Sequence, residues 1–143
     1  MRWISTLLLC SLLSISVARG EEIVLQIGKQ VVSATIANTA RSRAHGLMHT
    51  TYLCDNCGML FVFPRAAKYT FWMKNTPIPL SIAFIDINGS ILNIEEMDAN
   101  SLLDHSPQGL ALYALEMKKN WFAAHGIQAE NRVEGLLRAP PGR

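Results

Sequence analysis

Residues 58–85 constrain the fold most strongly, because two apolar runs flank a short polar segment. The runs 58–63 and 80–85 are too short for a buried helix and are typical of strands in a core. Between them lies the polar segment 74–76, which two prolines follow. A lysine and an amide between core strands need water or hydrogen-bond partners. The polar segment is therefore either a structural turn or the floor of a binding site.

The first 20 residues are typical of a secretory signal peptide. Arg2 supplies a positive charge, residues 4–17 are apolar or small, and residues 18–20 resemble a cleavage site. The apolar stretch of about 14 residues falls short of the roughly 20 that span a bilayer. We therefore predict a periplasmic or secreted protein, cleaved after Ala18 or Gly20, with no membrane span afterwards. An uncleaved N-terminal anchor is the alternative.

The chain that would remain after cleavage is electrically balanced. Arg2 and Arg19 are two of the 13 lysines and arginines, so their loss leaves 11 basic residues against 11 acidic ones. A domain without net positive charge lacks the excess of lysine and arginine that binding to nucleic acid or to an anionic membrane surface requires. We predict one β-rich domain over 21–138 and a disordered tail over 139–143.

Local patterns predict a mainly β fold with two short helices. Alternating apolar residues and turn signals predict seven or eight strands. These lie at 22–28, 31–37, 58–63, 69–73, 80–86, 90–97, 110–117 and, as the last addition, 127–137. Helical spacing and capping residues predict helices at 40–48 and 121–125. Strands at hairpin spacing, including a pair joined by Asn88-Gly89, favour a sandwich or barrel over a parallel sheet.

A series of short motifs resembles a known family. The motifs are Gly46-Leu47-Met48, the run 58–63, Phe71-Trp72-Met73-Lys74-Asn75-Thr76, Ile78-Pro79-Leu80, Leu115-Glu116 and Gly126-Ile127. Over about residues 30–137 the chain resembles the bacterial and archaeal family called domain of unknown function 192. The resemblance implies a small jelly-roll-like β-sandwich or barrel, often exported, with no established activity. Family members often have an aspartate where this chain has Ser81, so no role for that carboxylate is transferred.

Cys54 and Cys57 allow three interpretations. In an exported protein the simplest is a disulfide. A redox pair usually needs a helix N-terminus in a thioredoxin-like setting, which the sequence does not predict. Together with His45 and His49, the cysteines could instead form a tetrahedral zinc site.

Copper(I) is a further possibility that the methionines raise in an exported protein. Most of them lie in apolar strand or helix patterns, so packing in the core is the preferred interpretation. They are Met48, Met59, Met73, Met97 and Met117. We therefore predict no cofactor.

The polar segment supplies the first candidates for a ligand site. Lys74, Asn75 and Thr76 offer hydrogen-bonding groups, and Trp72 offers a ring on which a ligand can stack. In the structural alternative, Asn75 and Thr76 bond to the backbone of the turn. A buried, unpaired ammonium costs several kcal/mol. Lys74 should therefore be exposed, paired with a carboxylate such as Glu116 or Asp98, or free for a ligand.

Two more residues complete the candidate site. His105 lies in the long loop 98–109, and Glu116 ends an apolar strand. The leading interpretation is a ligand-binding or accessory module of the cell envelope, with a small molecule, a glycan or an envelope protein as partner. One alternative is a hydrolase-like envelope enzyme that uses His105 or Glu116 near Lys74. The other is a metal-binding or redox protein at the histidines and cysteines.

Overall fold

One seven-stranded sheet, curled into a half-barrel, organises the chain. The structure, a computed structural model, describes residues 20–143, so the predicted signal peptide lies outside the described residues except for Gly20. The strands are β1 Glu22–Ile27, β2 Gln30–Ala37, β3 Cys57–Ala67, β4 Leu80–Ile85, β5 Ile91–Met97, β6 Ala111–Lys118 and β7 Val133–Glu134. The helices are α1 Ala40–His45 and α2 Trp121–Ala124, and a 3₁₀ turn spans Leu136–Arg138. The predicted mainly β class with two short helices is confirmed.

Two hairpins join strands that are neighbours along the chain. The β1–β2 hairpin turns between Ile27 and Gln30, and the β4–β5 hairpin turns through Asn88-Gly89. Across the sheet the strand order is β5-β4-β6-β3-β2-β1-β7. The β2–β3 pair is parallel, whereas the other pairs are antiparallel. Parallel neighbours need a crossover, and the connection 38–56 makes it and carries α1 over one face.

Two predicted strands and one helix are shorter than expected. The segment 69–73 forms a single bridge, between Phe71 and His105, and the C-terminal strand is reduced to β7. Helix α1 begins after the N-cap Thr39 and ends at His45, because Gly46 leaves the helical region with a φ of 51°. The two strand segments keep buried apolar residues outside the strand ladder.

The C-terminal tail 139–143, for which we predict disorder, makes hydrogen bonds to the rest of the described structure. The amide of Arg143 donates to the carbonyl of Asn38 at 2.7 Å, and the side-chain amide of Asn38 donates to Pro141. The guanidinium of Arg43 donates to the carbonyl of Arg143. These contacts hold the tail against the start of the crossover, and no local sequence pattern predicts them.

Two clusters of buried side chains cover the two faces of the sheet. Residues of β6 alternate between them, since successive side chains of a strand point to opposite faces. Leu115 and Met117 join the first cluster, with α2, whereas Ala114 joins the second. Glu116 therefore points to the second face, which the crossover and the segment 68–79 cover. Within residues 20–143, no helix has the length and apolar character needed to cross a bilayer.

Candidate functional site

A cavity of about 250 Å³ lies between α1, β3 and the segment 69–72. Five of its lining residues are aromatic: Phe61, Phe63, Tyr69, Phe71 and Trp72. Trp72 is 48% exposed, so the cavity reaches the surface beside this ring. Pockets that bind small molecules are typically apolar and aromatic with a few polar groups, as this cavity is.

The aromatic rings hold one another in place. Phe71 lies edge-on to Phe61 and to Phe63, with centroids 5.0 Å and 6.0 Å apart. Phe63 in turn stacks on Tyr69 at a centroid distance of 3.6 Å. Such ring contacts add stability beyond that from the burial of apolar area. The aromatic wall of the cavity, which these rings form, is therefore in place before any ligand binds.

Glu116 is the acidic residue of the cavity. It is only 4% exposed, and its cross-strand neighbours on β3 and β4 are the apolar Met59 and Ile82. In the part of the chain that the structure describes, its carboxyl group has neither a hydrogen bond nor an ion pair. Burial raises the pKa of Glu116 from 4.5 to about 8. The carboxyl group is therefore mostly protonated at neutral pH.

Arg43 and His45 bring α1 to the rim of the cavity. The guanidinium of Arg43 donates to the carbonyl oxygen of Val62 at 3.0 Å and lies 5.4 Å from the centre of the Phe63 ring. Its second nitrogen donates to Arg143 at 3.2 Å. These bonds fix α1 against β3 and use much of the donor capacity of Arg43.

The polar segment 74–76 forms a turn with its own backbone bonds. The carbonyl of Asn75 accepts from the amide of His49 at 2.8 Å, and the hydroxyl of Thr76 donates to the carbonyl of Lys74. Lys74 is exposed, and its ammonium lies 5.2 Å from the centre of the Trp72 ring. Thr76 and Trp72 line the cavity, whereas Lys74 and Asn75 do not.

His105 has a different environment from the cavity. Its Nδ1 lies 2.6 Å from a carboxylate oxygen of Glu95 on β5. Its Nε2 is buried without a hydrogen-bond partner among the described residues. Asp98, a possible partner for Lys74, instead binds Lys119 at 2.6 Å. Lys74, His105 and Glu116 are therefore not brought together in one cavity.

The two cysteines lie at disulfide-bonding distance, with Cα atoms 5.0 Å apart. In that state their sulfur atoms are bonded to each other and do not serve as zinc ligands. The rings of His45 and His49 are 6.3 Å apart. Across residues 20–143, no cluster of three or more metal-binding side chains is found.

The sequence did not identify most of the cavity wall. Phe61, Phe63 and Phe71 have the pattern of core residues, and only the fold shows that they surround a space. The sequence does carry one signal for Glu116, the acidic residue of the cavity. Glu116 follows Ala114 at the two-residue period of an apolar strand, which places its carboxyl group on a buried face.

Comparison with solved structures gives the same fold. A protein of unknown function from Novosphingobium aromaticivorans DSM 12444 is 30% identical with a TM-score of 0.79, over 83% of this chain and 89% of that one. A protein from Sinorhizobium meliloti 1021, which its description proposes as a transcription regulator, is 26% identical with a TM-score of 0.73. That match covers 80% of this chain and 92% of the other.

Sequence comparison agrees with the structural matches. Among curated proteins, none matches this chain. The model of the family DUF192, described as an uncharacterised ACR, matches residues 23–135. This span contains all seven strands except the first residue of β1. The chain therefore belongs to the DUF192 family of uncharacterised proteins.

Proposed function

We propose that this DUF192 protein is an exported module that binds a small molecule in its aromatic cavity, with Glu116 as the polar contact. The observation that carries the proposal is a buried carboxyl group that lines the cavity and has no partner in the described chain. A carboxyl group that has lost most of its contact with water gains from a hydrogen bond or ion pair that replaces this contact. A ligand that bonds to the carboxyl group would supply this interaction.

The size of the cavity favours a small molecule over the other partners. At about 250 Å³ it lies just below the roughly 300–1,000 Å³ of pockets that hold drug-sized ligands. A glycan chain or a protein segment would need a longer groove. The ligand is therefore expected to place one compact group between the rings.

A binding role is also favoured over the hydrolase-like alternative. That alternative requires His105 or Glu116 to act close to Lys74. Lys74 lies against Trp72 outside the cavity lining, and His105 is bonded to Glu95. Only Glu116 of the three is available to a molecule inside the cavity.

The Sinorhizobium protein's description does not extend to this chain in our proposal. Regulators that bind nucleic acid neutralise phosphates with lysine and arginine. Residues 21–143 carry equal numbers of acidic and basic residues. Binding of a small molecule requires no such charge.

Export is supported by the signal-like N-terminus and by the cysteine pair. Disulfides persist in oxidising compartments and are rare in the cytosol. Expression of the full chain in a bacterial host, followed by fractionation and mass spectrometry, tests this part. We expect a periplasmic product that begins at residue 19 or 21. A cytoplasmic product that retains Met1 would contradict export.

Binding can be tested with a variant that fills the cavity from its rim. Ala44 is exposed and lines the cavity, so Ala44→Trp should occupy the space without changing the core. Ala40→Trp is the matched control, because Ala40 is exposed on the same helix and does not line the cavity. The probes are indole and benzyl alcohol, titrated into ¹⁵N-labelled protein.

We expect both probes to shift the amide signals of Gly46 and Phe71 in the wild type and in Ala40→Trp. The Ala44→Trp variant should lose these shifts. Shifts of equal size in Ala44→Trp, or none in the wild type at millimolar probe, would contradict the proposed cavity function.

A further inference from the structure

We infer that the ligand of this cavity carries an organic cation, such as a trimethylammonium group, that pairs with the carboxylate of Glu116 between the aromatic rings. The inference rests on the proposed binding function and adds the chemical class of the ligand. Three observations support it. They are the hydrogen bonds that the other buried polar residues make, the aromatic rings that line the cavity, and the charged residues around Glu116.

Glu116 differs from the other buried polar residues of the described chain. Thr76 donates to a backbone carbonyl, and Ser81 donates to Glu96 at 2.6 Å. Asn93 bonds to the backbone of the loop 98–110 through both its amide nitrogen and its oxygen. Of these four buried residues, Glu116 alone makes no side-chain hydrogen bond, and it is the acid that lines the aromatic part of the cavity. Its carboxyl group is therefore available to a partner that enters the cavity.

The wall has the character of a cation-binding surface. The face of an aromatic ring attracts a cation within about 6 Å of its centre, most strongly when water is excluded. Two cationic groups of the chain already use this attraction at the edges of the wall. Arg43 lies 5.4 Å from the Phe63 ring and Lys74 lies 5.2 Å from the Trp72 ring. A cation inside the cavity would contact several rings at once.

No charged group on the neighbouring strands neutralises Glu116. Its direct neighbours Met59 and Ile82 are apolar. Lys118, two residues after Glu116 on β6, forms an ion pair with Asp55 at 2.7 Å. Glu95, which lies opposite Ile82 on β5, is bonded to His105. The strands therefore leave the carboxyl group without a counter-ion.

The other titratable groups that face the cavity are Arg43, His45 and Tyr69. Arg43 is bonded to two backbone carbonyls, His45 is exposed on α1, and the hydroxyl of Tyr69 donates to the carbonyl of Arg65. Burial is the cause of the raised pKa of Glu116, so none of these groups holds its carboxylate in the charged form.

This environment predicts how binding depends on pH. A quaternary ammonium ion keeps its charge at every pH, so the titration of Glu116 controls its affinity. With a pKa of about 8, roughly 3% of the carboxyl groups are ionised at pH 6.5 and roughly 90% at pH 9. Affinity should rise about 30-fold between these values. Binding at pH 7 should also release a proton from the protein.

The test is calorimetric titration with choline and with its neutral isostere 3,3-dimethyl-1-butanol, at pH 6.5 and pH 9. We expect choline to bind more tightly at pH 9 by about 30-fold. The isostere should bind weakly and independently of pH. Glu116→Gln keeps the size of the side chain and should lose at least about tenfold in choline affinity at pH 9 together with the pH dependence.

The Ala44→Trp and Ala40→Trp pair keeps the test valid if Glu116→Gln fails to fold. Ala44→Trp should abolish choline binding and Ala40→Trp should retain it. Choline affinity that is unchanged in Ala44→Trp would overturn the inference, because the cation would then bind elsewhere. Equal binding of choline and the isostere at both pH values, still blocked in Ala44→Trp, would overturn the cation class while leaving the cavity function standing.

Discussion

A carboxylate oxygen of Glu95 lies 2.6 Å from Nδ1 of His105, and this contact joins β5 to the loop 98–110. The backbone of His105 exchanges two hydrogen bonds of 2.8 Å with Phe71. Phe71 is part of the aromatic wall of the cavity. The contact between Glu95 and His105 therefore helps to position this wall from the side that faces away from the cavity. His105 is therefore a positioning residue that does not itself reach the cavity.

Replacing Glu95 tests this arrangement. Glu95→Gln should lower the free energy of unfolding by about 1 kcal/mol, because a neutral amide bonds more weakly to the imidazole. Hydrogen exchange at the amides of Phe71 and His105 should become faster. Glu22→Gln, at an exposed position on β1, is the control. Unchanged exchange in Glu95→Gln would contradict the positioning role.

The stability of the protein should fall with pH because of Glu116. Its folded pKa of about 8 exceeds the ordinary value of 4.5, so the native state binds more protons than the unfolded chain between these values. Stability is therefore lost as the pH rises through this window and levels off above about 8. The full loss is on the order of 3–5 kcal/mol.

Chemical denaturation of the wild type and Glu116→Gln at pH 5, 7 and 9 measures this loss. The variant cannot ionise at this position, so it should be more stable than the wild type at pH 9 and similar at pH 5. Glu134→Gln, at an exposed position on β7, should keep the wild-type pH dependence. A flat profile for the wild type would show that Glu116 ionises normally.

Gly58 is required by close contact between strands. A Cβ atom at this position would collide with the backbone carbonyl oxygen of Glu116 and the sulfur of Met117. Since a sheet backbone cannot easily move, Gly58→Ala should cost about 3 kcal/mol. Gly28→Ala is the control, because that position has open space and only the strain of a φ of 57°, worth about 1 kcal/mol. Equal melting temperatures for the two variants would refute this explanation.

Asn75 is expected to matter for its backbone conformation. Its φ is 54°, in the left-handed region that asparagine tolerates better than most residues. Asn75→Ala should cost about 1 kcal/mol, whereas Asn75→Gly should remain within about 0.5 kcal/mol of the wild type. Thermal unfolding of the two variants provides the comparison. If alanine and glycine destabilise equally, the side-chain amide is the essential group instead.

The cysteine pair should add a modest amount of stability. A disulfide that closes so short a loop contributes about 2 kcal/mol in the chain-entropy description. Replacing both Cys54 and Cys57 by alanine should lower the free energy of unfolding by that amount or less. Thiol titration of the unfolded, unreduced protein from residue 21 onward should find no free thiol, and two after reduction. Two free thiols before reduction would contradict the bond.

The parts of the fold that depend on nearby residues could be predicted from the sequence. The turn residues Asn88-Gly89 specify the β4–β5 hairpin, and Thr39 begins α1 as an N-cap. The parallel β2–β3 pair could not be predicted in this way. Its partners lie on either side of the crossover 38–56, and pairing at that separation leaves no local pattern.

The candidate site could likewise be predicted only in part from the sequence. Trp72, Thr76 and Glu116 were identified from residue type and line the cavity, whereas Lys74, Asn75 and His105 do not. A polar residue between apolar runs indicates a special environment without showing which face it points to. The enclosing rings come from two segments, β3 and 69–72, which the fold brings to face each other around the cavity.

The pairing of β1 with β7 also limits when the chain can fold. Gln26 lies opposite Glu134 and Ile27 opposite Val133, so the outer neighbour of the first strand comes from near the end of the chain. During synthesis the ribosome delivers β1 long before β7. The first hairpin must therefore wait, with one side of β1 uncovered, until nearly all of the protein has emerged. A nascent chain with this topology keeps an uncovered strand edge for longer than one built from neighbouring hairpins alone, and chaperones can bind it during that interval.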